Sequence, residues 1–468
     1  MTHPHRLLSA LLVLGAVHVS AAPATTPRSP PESEQLAREI FAELVGEDTT
    51  HAVGSGRAAQ RLAARFKSAG FEDVYVGGPR PDKANVVVRL HGRGRGKPVL
   101  FNAHLDVVEA TRDTRSVEPF RLTEKDGFFW GRGTVDVKNE VAILSANLLR
   151  LRREGFQPDR DVILFFNADE EAGGDANGVE WMLANHRPLI EAGLVINHDA
   201  GKGQALDGVK LWNTIQTAEK MYATYTLSTT GSGGHSSLPT RQNAIGRLGR
   251  ALARLDAYAF PVRFTETTRR YLEAMRSRAA PEIAKEIDAI LKDPADARAL
   301  DALRDAPVLN AQLHSTCPAT LVTGGQSESA LPMNARATIQ CRLLPDEDPA
   351  VVLATFAKVI DDPGVAVGVA WAPVPTPAAT LDPRVVHAVE HVTGEMWPGV
   401  PVVPVMSSGA SDNVYFRGAG LETFGVSGTF VDEGDLRAHG RDERIGVTAF
   451  YESLEFSYRL IKALAATR

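Results

Sequence analysis

Cysteine is scarce, with Cys317 and Cys341 the only two in 468 residues. A disulfide framework is thereby excluded, and so is a thiolate metal cluster, although one bridge between the pair can form in an oxidising compartment. Positive charge is not in excess either: 51 Lys and Arg stand against 57 Asp and Glu, a formal net charge of -6. Nothing here calls for nucleic acid or an anionic membrane as a partner. The arginine-rich stretch 93–97 is interrupted by glycine and reads as a turn. Beyond the amino terminus no apolar run is clean enough for a transmembrane helix. There is no short internal repeat, no P-loop and no dinucleotide-binding glycine pattern, Gly131-Arg-Gly133 being too short to count. Ser236-Ser237 and Ser407-Ser408 lie outside any nucleophile elbow.

The amino terminus carries a different pattern. Arg6 precedes an apolar stretch over 7–19, and Ser20, Ala21 and Ala22 supply the small residues of a signal-peptidase site. Residues 1–22 therefore read as a signal peptide, which implies export to the periplasm or the cell exterior. The stretch falls short of the roughly 20 apolar residues a membrane helix needs, so no stable span is expected after its removal. The Pro/Ser/Thr-rich segment 23–31 reads as a flexible leader.

Periodicity predicts an α/β chain. Helical spacing over 34–70 is broken near 48–56, and apolar runs at 85–90, 98–103, 162–166 and 194–197 read as strands, with a helix at 140–149. Three of these strands run directly into His104, Asp169-Glu170-Glu171 and Asp199, at the edge where ligands gather in open α/β sheets. From residue 214 the pattern changes to alternating strands at 222–228 and 337–342, a helix at 243–255 and an Ala/Glu/Arg-rich helical stretch over 261–310, broken near Pro294. The organisation expected is a first domain over 32–214 and 377–468, with a mixed central sheet flanked by helices. A smaller α+β domain, 215–376, is inserted into it.

The residues that carry chemistry are mostly carboxylates and imidazoles. In His104-Leu105-Asp106, on an extended chain, residues two apart point the same way, so Asp106 can hold one imidazole nitrogen while His104 offers the other to a metal. Asp136 follows a glycine-rich turn, and its two oxygens can bridge two cations about 3.5 to 4 Å apart. A dication would compensate the repulsion within Asp169-Glu170-Glu171. With Glu171 as ligand, Glu170 can face substrate and take a proton from water. Asp199 and His439 complete a nitrogen and oxygen set suited to two Zn2+ ions, with Co2+ or Mn2+ as substitutes. Each group read alone has an ordinary alternative: a helix cap for Asp136, a solvated acidic loop for 169–171, a loop histidine for His235, a surface ion pair for Arg342.

Seven strings taken together resemble the M20 family of metallopeptidases and related aminoacylases. They are HLDVV from His104, GRGTVDVK from Gly131, DEE from Asp169, GGHSSLP from Gly233, RLLP from Arg342, SGASD from Ser408 and HGRDE from His439. The resemblance implies a peptidase domain split by a lid domain. It implies one metal on His104, Asp136 and Asp199 and another on Asp136, Glu171 and His439, with Glu170 as general base and Asp106 holding His104. His235 becomes a lid residue approaching a metal site, often the partner's in dimeric relatives, and Arg342 a clamp for a substrate carboxylate. Two departures stand out: Asn139-Glu140 follows Lys138 where relatives carry glycine, and Ser329, three residues before Pro332, stands where many relatives place asparagine. Ser329 still donates a hydrogen bond there but reaches less far. The function expected is exopeptidase or dipeptidase action on a small peptide, with N-acyl-amino-acid deacylation as the alternative and an inactive peptide-binding module as the rival of another class. A homodimer is slightly favoured over closure within one chain.

Overall fold

The computed structural model describes residues 26–110, 116–172 and 176–466; the expected signal peptide lies outside the described residues. Two compact units emerge. One comprises Glu219–Pro375 with Met406–Gly409; the other holds the described residues up to Ala218, Thr376–Val405 and those from Ala410 onward.

The larger unit is built on a mixed sheet of ten strands among the described residues. Its order is Val74–Arg80, Lys83–Leu90, Val162–Asn167, Val99–His104, Leu194–Asn197, Thr423–Gly425, Val209–Glu219, Gly203–Leu206 and Phe430–Asp432, with Val402–Ser407 pairing to Val209–Glu219 off that path. Val99–His104 runs parallel to both Val162–Asn167 and Leu194–Asn197, which itself pairs in parallel with Thr423–Gly425. All residues of these first three strands are buried, as expected for near-continuous Val, Ile, Leu and Phe runs covered on both faces. Parallel pairing brings their carboxyl ends to one edge.

Helices cover the faces. Pro31–Gly46 and Gly56–Ser68 flank the break anticipated near 48–56, and Lys138–Arg153, nearly all buried, packs between Pro31–Gly46 and the long helix Val447–Ala465. A small sheet joins Arg444–Gly446, Phe128–Trp130 and Thr123–Lys125, so the chain just after residue 443 is hydrogen-bonded to the chain just before residue 131.

The smaller unit has a four-stranded antiparallel sheet ordered Ala319–Gly324, Asn334–Leu343, Met221–Thr230 and Val365–Trp371. Asn334–Leu343 alternates buried and more exposed residues, the signature of a sheet with one face on the core. Tyr225, Leu227, Leu248 and Phe356 lie in that core, beneath helices Ala244–Asp256 and Pro349–Ile360. The Ala/Glu/Arg-rich stretch forms four short helices, Glu266–Arg276, Pro281–Lys292, Ala297–Arg304 and Pro307–Leu313, and Asp296 caps the helix that follows Pro294. Cys317 and Cys341 are joined by a disulfide. Among the described residues no helix is long and apolar enough to cross a membrane.

Candidate metal centre

The carboxyl edge of the parallel strands collects the acidic and imidazole groups. His104 ends its own strand; Val162–Asn167 runs on into Asp169, Glu170 and Glu171, and Leu194–Asn197 into Asp199. Asp136 arrives from the turn ahead of helix Lys138–Arg153, through a cis Asp136–Val137 peptide, and His439 from a late loop where its φ is 60°.

Asp136 is the member common to two clusters. Its Oδ1 lies 3.3 Å from Nε2 of His104 and its Oδ2 3.2 Å from Nε2 of His439. His104 Nε2 is also 4.0 Å from Asp199 Oδ1, and His439 Nε2 is 2.8 Å from Glu171 Oε2. Donor atoms of His104, Asp136 and Asp199 all lie within 4.8 Å of one another, and so do those of Asp136, Glu171 and His439. The five residues thus meet as two triads sharing one carboxylate.

Electrostatics test whether a metal pair fits. Burial pushes Glu170 well above the ordinary carboxylate range, with Asp412, Asp199 and Glu171 adding to the effect against the opposing pull of His104. Burial likewise raises Glu171. His104 resists burial and is held well above its usual value by its hydrogen bond to Asp136 and by surrounding carboxylates; hydrogen bonds to Asp136 and Glu171 lift His439 to about 10. So many acidic groups with imidazoles at their centre form a site where divalent cations would supply compensating positive charge. The mixed nitrogen and oxygen donors suit zinc or a related ion. The residues fit the group.

One expectation needs correction. Asp106 does hold His104, but through its backbone carbonyl, 3.0 Å from Nδ1; its carboxylate is 3.7 Å away, beyond hydrogen-bond length. That carboxylate instead accepts from the backbone amides of Glu170 (3.1 Å) and Glu171 (3.0 Å). Asp106 therefore anchors the segment carrying both glutamates, which takes up the lone pairs the imidazole was expected to use.

Several groups had no assigned role in the sequence reading. Arg132 and Glu443 form a buried pair at 2.6 Å. Lys83 pairs with Asp169 beside Glu170. Asp412 accepts from Asn167 (2.5 Å) and Asn177 (2.7 Å), and burial, reinforced by Asp106 and Asp199, raises it to about 7. Arg132, Asp169, Asp412 and Glu443 all stand inside the strings quoted above, which was the available signal; their partners are distant in sequence, so no local pattern revealed them.

His235, Ser329 and Arg342 belong to the smaller unit. His235 is exposed, forms an isolated antiparallel bridge with Ala330 and has Nδ1 2.7 Å from Ser237 Oγ, while the Ser329 carbonyl accepts from the Ser236 amide. His235 and Ser329 therefore lie on adjoining, paired loops. Arg342 stands opposite Tyr222 in the sheet, its guanidinium 4.9 Å from the ring centroid.

Residues 100–463 match the family model described as Peptidase family M20/M25/M40. The chain belongs to that family. This M20 chain is 28% identical over 375 residues to the probable carboxypeptidase S-like 2 of Dictyostelium discoideum, covering 78% of this chain and 71% of that protein. It is 29% identical over 378 residues to the human N-fatty-acyl-amino acid synthase/hydrolase PM20D1, covering 78% and 74%. Among solved structures, the M20 family metallo-carboxypeptidase Sso-CP2 from Sulfolobus solfataricus superposes with a TM-score of 0.69 at 18% identity, covering 92% of this chain and 99% of that one. The M20 chain is thus a hydrolase of the metallopeptidase class, and its mixed α/β fold is that of its structural relatives.

Proposed function

We propose that this M20 enzyme hydrolyses the amide next to a free terminal carboxylate, as an exopeptidase or dipeptidase on small peptides. The observation that carries the proposal is Asp136, whose two oxygens face two histidines in two overlapping triads. His104, Asp136 and Asp199 would hold one divalent cation and Asp136, Glu171 and His439 the other, zinc being the natural ion with cobalt or manganese as substitutes. Bound there, the pair would polarise the scissile carbonyl and acidify a water molecule. Glu170 takes the proton of the attacking water at its carboxylate and returns it to the leaving nitrogen; a carboxylate that burial holds well above its usual range suits that work. Asp106 keeps Glu170 in place through its backbone amide. In the smaller unit, Arg342 has no carboxylate partner among the described residues, and its planar fork suits a substrate carboxylate. His235 is assigned to stabilise the developing oxyanion, with Ser329 as a substrate contact.

N-acyl-amino-acid hydrolysis is the second reading, favoured by the likeness to PM20D1. Both readings place a free carboxylate beside the cleaved amide, since a carboxypeptidase substrate and an N-acyl amino acid share that end. The test is a metal-controlled panel of dipeptides, longer peptides blocked at either terminus and matched N-acyl amino acids. Turnover should require the free carboxylate, and equal cleavage of carboxyl-blocked substrates would sink the proposal. Export is proposed as well, supported by the amino-terminal pattern and the bridged cysteines. A homodimer is proposed from the exposed Leu321 and Val322 on strand Ala319–Gly324, which lies at the edge of its sheet.

A further inference from the structure

Glu443 spends both carboxylate oxygens on one stretch of chain. Oε1 accepts from the amides of Val135 (2.8 Å) and Asp136 (3.1 Å), and Oε2 from the amide of Gly133 (2.9 Å) and the guanidinium of Arg132 (2.6 Å). The same guanidinium reaches back through Nη2 to the carbonyl of Gly440 at 3.1 Å, and the amide of Gly131 donates to the carbonyl of Glu443 at 3.1 Å. The two side chains are at most 1% exposed. The turn that ends in Asp136 and the loop that carries His439 are therefore laced together by one buried pair.

Stability alone gives no reason for such a pair, because apolar side chains of similar volume often serve a core as well or better. Directional bonds to backbone are what apolar side chains cannot supply. The two triads also differ in their support. His104 and Asp199 stand at the ends of strands held in register by their neighbours, His104 opposite Asn167 and Asn102 opposite Asn197. His439 lies in a loop, at positive φ, with Gly440 and Glu443 tied to the 131–136 turn.

We propose that Arg132 and Glu443 are positioning residues that set Asp136 and His439 against each other, so that the cation of the Asp136, Glu171 and His439 triad depends on them more than its neighbour does. The inference rests on the two-cation reading above. Strand Arg444–Gly446 pairs with Phe128–Trp130 through backbone hydrogen bonds that do not involve the ion pair, which favours folding of variants. Arg132→Lys keeps a charge beside Glu443 but loses the separate guanidinium arm that bonds Gly440; Glu443→Gln keeps one acceptor oxygen and loses the other.

The test is titration of the metal-free full chain with Co2+, following uptake and visible absorption in wild type, Arg132→Lys, Glu443→Gln and His439→Ala. Loss of outer partners of metal ligands weakens binding about 10- to 100-fold. The expected result is weakening of that order for one of two Co2+ ions, the one His439→Ala removes, with its absorption band altered and the other ion, which shares Asp136, weakened less. Two ions bound as in wild type by whichever of Arg132→Lys and Glu443→Gln folds would overturn the inference, as would equal weakening of both ions or failure of both variants to fold, which would assign the pair a general structural role. Should wild type bind fewer than two Co2+ ions, or His439→Ala bind as many as wild type, the two-cation reading itself fails and the inference falls with it.

Discussion

The ammonium of Lys83 lies 2.5 Å from Oδ1 of Asp169, and each side chain is 1% exposed. Lys83 also donates to the backbone carbonyl of His51 at 2.6 Å, and His51 Nδ1 lies 2.8 Å from the same Asp169 oxygen. Asp169 has a φ of 60°, uncommon for a residue with a side chain. The residue before the proposed base is thus held by charge in a conformation that extended chain would not adopt.

Lys83→Met should destabilise the protein by about 3 to 5 kcal/mol, because it leaves the Asp169 carboxylate buried without its cation. Lys83→Met/Asp169→Leu should recover part of the loss. Equilibrium urea unfolding measures both, and a single-variant loss below about 1 kcal/mol would show that the pair is not the constraint described.

Glu170→Gln should lower kcat by about 10^2- to 10^4-fold, the range of a lost general base, while leaving bound metal unchanged. Steady-state kinetics on metal-analysed protein decides it. Unchanged turnover would reject the proton-transfer role.

Chelation should abolish turnover, and readdition of Zn2+, Co2+ or Mn2+ should restore it. Asp136→Ala should cost the chain both ions, since one carboxylate serves both triads, whereas His104→Ala and His439→Ala should each cost chiefly one. Metal content by inductively coupled plasma spectrometry, after gel filtration, separates these outcomes; a full complement in Asp136→Ala would remove the bridging assignment.

In the smaller unit, buried Lys220 donates to the carbonyl of His314 at 2.7 Å. Burial, aided by Arg342 and opposed by Glu347, lowers Lys220 from 10.5 to about 8; burial, aided by Lys220 and Arg304, lowers His314 from 6.5 to about 4. In both cases the unfolded chain binds the proton more tightly, so stability rises with pH between about 4 and 6.5 and again between about 8 and 10.5. Lys220→Met should remove the second rise. Its stability relative to wild type should fall by on the order of 2 to 3 kcal/mol from pH 8 to 10.5, and parallel urea curves across that window would refute the buried charge.

Much of the larger unit was legible because its signals are local. Runs such as 162–166 read as buried strands from composition alone, and a strand that ends in His104 or leads into Glu171 announces its edge. The helix after Asp136 was expected at 140–149 and starts at Lys138, a difference in boundary only. The role of the Asp106 carboxylate was not legible. Residues two apart on an extended chain do point the same way, but the amides of Glu170 and Glu171 come from a neighbouring strand end and take its oxygens first.

By itself the sequence determined the element types, the family and the candidate metal ligands, because periodicity, glycine placement and side-chain chemistry are properties of short segments. Tertiary structure alone decided that Asp136 faces both His104 and His439, and that Arg132 and Glu443 join the turn and the loop behind them. Those relations depend on strand order and parallel register, and such pairings between distant segments have no local signature.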